Sequence, residues 1–176
     1  MDGRETTHGL EIKPLALALP ELPQPLTLNA WDFGGQAIYR PTHQLFFSAP
    51  ALYLVVWEPR AGPEQGFVYY WTQLIKHRAF DEQRPSERPR LLIVATHGGP
   101  KERQAHIDEQ ALRSQFGALL EGFYHVDSCT GAGLAALKAA IGRTAAALPL
   151  VGRKVPGSWL RVIEGKQKLF RRISNP

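Results

Sequence analysis

Apolar and polar residues alternate in two segments near the start of the chain. The first covers Leu10–Leu19 and the second Leu26–Trp31, and Pro20, Pro23 and Pro25 lie between or beside them. Alternation with a period of two is the pattern of a strand with one buried face, and a short proline-containing connection favours a turn. These segments therefore predict an antiparallel β-hairpin.

Three later segments are apolar along most of their length. They cover Ala51–Trp57, Leu91–Ala95 and Gly122–Val126. A continuous apolar run is typical of a strand that is buried on both faces of a parallel sheet. The third run is shorter than the first and more polar, which favours a position at the edge of the sheet.

Helical patterns follow each of these runs. Apolar residues recur with a period near 3.6 in Gln65–Phe80, Ile107–Leu120 and Leu134–Leu148. An order of strand, helix, strand, helix, strand, helix predicts a three-layer α/β fold with a parallel sheet and right-handed crossovers. The hairpin at the start would make that sheet mixed.

The end of the chain predicts a domain boundary. Pro149–Pro156 has the composition of a linker, and Ser158 can cap a helix from Trp159 to about Ile173. The apolar residues of that helix need a partner surface outside the preceding fold. We therefore expect residues 1–149 to form one domain and residues 150–176 to be a linker and the first helix of a following domain.

The composition is that of an ordinary globular protein. The chain has 176 residues, of which 44% are hydrophobic and 21% charged. A single cysteine excludes an intrachain disulfide and favours a reducing, cytoplasmic setting. The start of the chain lacks the apolar core of a signal peptide, and no apolar run approaches the roughly 20 residues of a membrane-spanning helix. We expect no integral membrane association.

The net charge of +5 leaves open a role in binding nucleic acid or acidic lipid. The basic residues are spread over several segments, however, and no RNA-binding aromatic motif or zinc-knuckle spacing accompanies them. A solvated surface is therefore favoured over a nucleic-acid interface.

The segment Trp31–Gln36 carries the candidate chemistry. Asp32 ends a hairpin strand and can reach Mg²⁺, which prefers a few carboxylates and retains several waters. Gly35 would let a backbone N–H approach a terminal phosphate, because no Cβ is in the way. Gln36 can orient an attacking water. The alternative interpretation is a strand end followed by an ordinary Gly-Gly turn.

The same segment resembles the third GTPase motif, Asp-x-x-Gly-Gln, and together with Thr42-His43 it resembles the Roc (Ras-of-complex-proteins) domain of the Roco family. Thr7–Leu10 resembles switch I, in which the family's threonine binds Mg²⁺ and the γ-phosphate. Ser128–Leu134 looks like the fifth motif, whose backbone contacts guanine. Val155–Leu160 is similar to the start of the COR dimerisation domain that follows Roc. The motifs occur in the family's order over nearly the whole chain.

This resemblance implies a Ras-like three-layer mixed sheet of the P-loop NTPase type. It also implies a signalling GTPase that binds GTP or GDP with Mg²⁺, next to a COR domain and as a homodimer. The residue roles that it implies are metal binding by Thr7 and Asp32, orientation of water by Gln36, phosphate contact by Gly35, and base contact by Thr96, His97, Ser128 and Cys129.

Two features depart from the family pattern. No Gly-x-x-x-x-Gly-Lys-Ser/Thr occurs in the chain, although the family carries this phosphate-binding loop ahead of switch I. We therefore expect a fragment that lacks the first strand and the P-loop, with unpaired strand edges on both sides of a central gap and no GTP turnover. Gly99 also stands where the base motif has an aspartate, after Thr96-His97, and Asp108 lies too far along to replace it. We expect weakened guanine selectivity.

Two functional hypotheses follow. One is a Roco-type GTPase whose intact parent hydrolyses GTP with Mg²⁺. The other is a degenerate Roc-like module that mediates dimerisation or intramolecular signalling without catalysis. Among the remaining candidates, the six histidines show no zinc-site spacing, His43 is expected to pack behind switch II, and Cys129 is interpreted as a small buried residue rather than a nucleophile.

Overall fold

The fold alternates strands and helices after an initial hairpin. The computed structural model describes residues 9–18, 25–34, 43, 46–47, 50–97, 106–149 and 151. The strands are β1 (Leu10–Leu17), β2 (Leu26–Phe33), β3 (Leu52–Trp57), β4 (Arg90–Ala95) and β5 (Leu120–His125). The helices are α1 (Gly62–Gln65), α2 (Val68–Ala79), α3 (Glu109–Phe116) and α4 (Leu134–Ala146), with a 3₁₀ turn at Pro85–Glu87. The predicted order of elements is confirmed.

A parallel sheet with the order β3–β4–β5 forms the centre of the fold. The central strand β4 is buried on both faces, and residues Leu91–Ala95 are no more than 3% exposed. One face of the sheet packs against α2 and α3 through a cluster that includes Ile93 and Phe116. The other face packs against α4 through a cluster that includes Val94 and Leu137. This is the predicted three-layer arrangement, with β5 at an edge.

The hairpin forms a sheet of its own. β1 and β2 pair antiparallel from Leu10 opposite Phe33 to Leu17 opposite Leu26. The sequence predicted one mixed sheet, but the hairpin and the parallel strands are separate sheets because no described strand pairs with both. Aromatic contacts connect the hairpin to the domain. The His43 ring centroid lies 4.9 Å from that of Phe33 and 5.6 Å from that of Trp71.

His43 is 6% exposed and packs against Phe33, which agrees with the predicted packing for the described part of the segment. Its ring lies between the end of β2 and α2, and the contacts are with aromatic rings on both sides.

Two predicted helices have different bounds in the structure. The pattern over Gln65–Phe80 is interrupted at Gly66, where an added Cβ would lie 2.7 Å from the Cβ of Trp57. Because Gly66 lies so close to Trp57 of β3, this position requires glycine. The next residue, Phe67, has a φ of 52°. The helix predicted over Ile107–Leu120 is shorter because Leu120 begins β5.

The end of the predicted domain lies mostly outside the described residues. Of the predicted linker, only Pro149 and Val151 are described, and the helix predicted from Trp159 to Ile173 is not. Within the described ranges, none of the helices combines the length and the apolar character needed to span a lipid bilayer.

Candidate nucleotide-binding site

The first half of the candidate base site follows β4. The Thr96 N–H donates to the Trp57 carbonyl at 3.0 Å, and the Thr96 hydroxyl donates to the same carbonyl at 3.3 Å. The Thr96 hydroxyl oxygen also lies 2.9 Å from Nδ1 of His97. These contacts fix the chain where it leaves the sheet, and His97 adopts a φ of 57°, which is uncommon for a residue with a side chain.

The second half follows β5 and is organised by Asp127. The Asp127 carboxylate accepts hydrogen bonds from the Cys129 N–H at 2.9 Å and the Thr130 hydroxyl at 2.6 Å. The Asp127 N–H donates to the Ala132 carbonyl at 2.9 Å. The Thr130 hydrogen bond, then the Cys129 N–H and, to a smaller extent, the charge of His97 hold the pKa of Asp127 below its usual range. The loop is therefore shaped before any ligand arrives.

The two halves lie side by side. The Val126 N–H donates to the Ala95 carbonyl at 2.9 Å, and Nε2 of His125 lies 3.1 Å from the Thr96 carbonyl oxygen. Because β4 and β5 are parallel neighbours, their carboxyl ends open onto the same edge of the sheet, where ligands of such folds bind. The structure thus brings the Thr96-His97 pair and the Ser128-Cys129 segment together.

His125 and Asp127 contribute to this edge, although the sequence did not single them out. The His125 side chain contacts the Thr96 carbonyl oxygen after β4. The Asp127 carboxylate interacts electrostatically with His97 after the same strand. Their position could have indicated this role, because His125 ends β5 and Asp127 lies directly before Ser128-Cys129. The prediction that Cys129 is buried is wrong. Cys129 is exposed, because the Asp127 turn displays Ser128–Gly131 to solvent.

The end of the hairpin carries Asp32, one of the candidate metal residues. The Gly34 N–H donates to the Gly9 carbonyl at 2.9 Å, next to the pair formed by Leu10 and Phe33. The segments that precede β1 and follow β2 therefore leave the same end of the hairpin. Asp32 lies there and is exposed.

Thr7, Gly35 and Gln36 lie outside the described residues, as does Gly99.

The donor chemistry of the hairpin end fits magnesium. Mg²⁺ keeps several waters, takes phosphate oxygens and needs only one or two protein ligands, so one exposed carboxylate such as Asp32 suits it. Across the described ranges, no three His, Cys, Asp or Glu side chains gather into a metal site.

The profile of the family described as "Ras of Complex, Roc, domain of DAPkinase" matches residues 2–97. The chain belongs to the Roc family. The Roc chain is 35% identical over 182 aligned positions to a Roc-COR-CHAT protease from an unknown prokaryotic organism, a match that covers 94% of the Roc chain and 16% of that protein. It is 33% identical over 151 positions to the probable serine/threonine-protein kinase roco11 of Dictyostelium discoideum, covering 83% of the Roc chain and 10% of that protein. The Roc chain thus spans a sixth or less of the length of these relatives.

A solved structure shares the fold. It is the structure of Methanosarcina barkeri Roco2 RocCORdC bound to GDP, with a TM-score of 0.68 and 22% identity. The match covers 92% of the Roc chain and 46% of the Roco2 chain. The fold is therefore Ras-like, with the parallel sheet that the sequence predicted.

Proposed function

We propose that this Roc domain is the guanine-nucleotide-binding switch of a Roco-type protein, whose intact parent hydrolyses GTP with Mg²⁺. In the proposed site Thr7 and Asp32 hold the metal, and Gln36 orients the attacking water. Gly35 offers a backbone N–H to the terminal phosphate. The base contacts belong to the residues Thr96, His97, Ser128 and Cys129.

The observation that carries the proposal is the arrangement after β4 and β5. The Thr96-His97 turn and the Asp127–Ala132 loop lie on adjacent carboxyl ends, and hydrogen bonds hold each of them. Membership of the Roc family supports the nucleotide, and the Roco2 relative in the matching structure is bound to GDP.

The parts of the site have separate tasks. A hydrogen bond ties Thr96 to Trp57 after β4, and hydrogen bonds from Cys129 and Thr130 to Asp127 hold the loop after β5. The carboxylate of Asp32 would hold the metal at the hairpin end, and Gln36 would aim a water at the terminal phosphate. Mg²⁺, when bound, supplies positive charge that offsets the charge of the phosphate oxygens.

Beyond the described fold, we propose the division into a Roc domain over residues 1–149 and a linker with the first helix of a COR-like domain over residues 150–176. The proposed parent is a cytoplasmic homodimer that dimerises beside COR. A likeness of Val155–Leu160 to the start of COR supports this boundary.

A second candidate function is a degenerate Roc module that mediates interaction without catalysis. One sequence fact favours it. Gly99 stands where the base motif has an aspartate, whose carboxylate would accept both guanine N–H groups.

Nucleotide binding separates the two functions, and base selectivity tests the role of Gly99. The test uses a loop-bearing chain, which we define as residues 1–176 preceded by the strand, the Gly-x-x-x-x-Gly-Lys-Ser/Thr loop and the helix of a Roco relative. We expect this chain to bind GTP with little preference over ATP, because Gly99 offers no carboxylate. We expect Gly99→Asp to raise the preference for GTP by about 5- to 150-fold, since a bidentate base contact contributes about 1–3 kcal/mol of discrimination. Fluorescence competition between labelled GDP and unlabelled GTP or ATP measures this.

Gly99→Asn serves as the matched control, because it adds a side chain of the same size at the same position without the charge. Tight GTP binding in excess ATP by the unsubstituted loop-bearing chain would disprove the weakened selectivity. Failure of both the loop-bearing chain and its Gly99→Asp variant to bind any nucleotide would favour the interaction module.

A further inference from the structure

The loop after β5 uses most of its backbone donors internally. The Asp127 N–H donates to the Ala132 carbonyl at 2.9 Å, and the Gly131 N–H donates to the Asp127 carbonyl at 2.9 Å. The Cys129 N–H donates to the Asp127 carboxylate at 2.9 Å, and the Ala132 N–H donates to the Thr130 hydroxyl oxygen at 3.3 Å. A ligand can accept a full hydrogen bond from one of these N–H groups only after an existing bond breaks.

The Asp127 carboxylate is the group that this loop offers instead. It accepts from the Cys129 N–H and the Thr130 hydroxyl. A carboxylate has about four sites for accepted hydrogen bonds, so it can accept another donor. The hydrogen bond from Thr130, and then that from Cys129, hold the pKa of Asp127 below its usual range. The group is therefore ionised at neutral pH, and an ionised carboxylate accepts hydrogen bonds but donates none.

The turn after β4 also carries an acceptor. The Thr96 hydroxyl gives its one hydrogen to the Trp57 carbonyl at 3.3 Å. Its oxygen therefore accepts from the Nδ1–H of His97, which lies 2.9 Å away. Neutral His97 then has Nε2 as an acceptor. Because the charge of His97 acts on Asp127, the two acceptors belong to the same region of the candidate base site.

The chemistry of a purine determines which of its atoms meets the loop after β5. A backbone N–H, the group that the family resemblance assigns to guanine contact in this loop, can donate only to an acceptor. On the pairing edge of guanine the acceptor is O6, because N1 and the 2-amino group both carry hydrogens. Position 6 of the base therefore lies at this loop. That position is an acceptor oxygen in guanine and a donor amino group in adenine.

We propose that Asp127 is a specificity-determining residue, whose carboxylate favours a purine with an amino group at position 6 over a purine with an oxygen there. This inference rests on the proposed function, because it concerns the same base site. An amino group can donate to the carboxylate, whereas O6 would face a negative charge with no hydrogen between the two oxygens. The Cys129 N–H stays bonded to Asp127, so Cys129 contacts the base without its backbone donor. The site therefore admits adenine nucleotides as well as guanine nucleotides.

A pair of nucleotides that differ at position 6 tests the proposal on the loop-bearing chain. The pair is GTP and 2,6-diaminopurine riboside triphosphate, which keeps the 2-amino group of GTP and carries an amino group in place of O6. Competition with fluorescently labelled GDP measures the Kd of each. We expect the diaminopurine nucleotide to bind about fivefold more tightly than GTP, which is the factor of a single hydrogen bond.

Two variants of the loop-bearing chain assign the preference to the carboxylate. Asp127→Asn should reduce the preference to less than about twofold, because asparagine has no charge and carries N–H donors beside its oxygen. Thr130→Val is the matched control. It removes one hydrogen bond to the same carboxylate but keeps the charge, so it should weaken both nucleotides alike and retain the preference. The comparison on the unsubstituted loop-bearing chain holds whether or not the variants fold.

Several outcomes would overturn the proposal. Tighter binding of GTP than of the diaminopurine nucleotide would mean that the Asp127 carboxylate accepts from N1–H of guanine instead. Affinities within about twofold of each other on the unsubstituted loop-bearing chain, or a preference that persists in Asp127→Asn, would show that Asp127 does not select at position 6. Each of these results leaves the proposed function intact. Absence of nucleotide binding by the loop-bearing chain and both variants would overturn the proposed function together with this inference.

Discussion

Residues 1–176 alone should not raise the rate of GTP hydrolysis above the rate in buffer. The loop-bearing chain should bind GTP with Mg²⁺ at least about a hundredfold more tightly than residues 1–176 and should hydrolyse it. The reason is electrostatic. A phosphate-binding loop supplies a row of backbone N–H groups and a lysine, and hydrogen bonds to a charged group contribute about 1.5–3 kcal/mol each. Two such contacts are enough for the stated factor. Calorimetry for binding and phosphate release for turnover measure both quantities.

The control for this experiment replaces only the lysine of the added loop by alanine. Because it keeps the added strand and helix, it distinguishes the effect of phosphate binding on GTP affinity from the effect of completing the fold. We expect this control to remain folded and to lose most of the gain in GTP affinity. Micromolar GTP binding by residues 1–176 without the loop would contradict the prediction.

Gly133→Ala should lower the free energy of unfolding by about 2–5 kcal/mol, the largest stability loss that we expect for a single methyl group in this chain. Gly133 precedes α4 with a φ of 74°, and an added Cβ would lie 2.3 Å from the His125 carbonyl oxygen. The left-handed backbone alone costs an alanine about 1–2 kcal/mol. The overlap with backbone forces β5 and α4 apart, which costs about 1–3 kcal/mol more.

Gly131→Ala is the matched control. Gly131 lies in the same loop with a φ of 80°, but an added Cβ would meet nothing within 4 Å. It therefore carries the backbone strain without the overlap, and we expect a loss of only about 1–2 kcal/mol. Urea unfolding of both variants measures the difference. Equal losses would show that the approach of Gly133 to His125 does not position α4.

Much of the fold could be predicted because strands and helices of this chain have clear periods. The apolar runs at Ala51–Trp57 and Leu91–Ala95 correspond closely to β3 and β4, since strands buried on both faces need apolar residues throughout. The alternating segments correspond to the hairpin. What the periodicity could not predict was the close packing of Gly66 against Trp57, a contact between residues of different elements that interrupts the helical pattern.

The candidate base site was predicted in outline. Motif order placed Thr96-His97 and Ser128-Cys129 after consecutive strands, and strand adjacency brings them to one edge. The organising role of Asp127 could not be predicted. It depends on the conformation of the following loop, which brings the Cys129 N–H and the Thr130 hydroxyl to the Asp127 carboxylate. The same turn exposes Cys129, whose small apolar character suggested burial. Side chains that shape irregular loops leave no periodic signal.

The most direct test of the account is the position of GDP on the loop-bearing chain, observed through the amide NMR shifts of each residue. We predict that GDP shifts the amides of Thr96, His97 and Asp127–Thr130 at the carboxyl ends of β4 and β5. Those of Ser86 and Glu87, which precede β4 at the opposite end of the sheet, should stay unchanged. GDP binding that leaves the Thr96 and Cys129 amides unshifted would contradict the claim that these two loops form the nucleotide site.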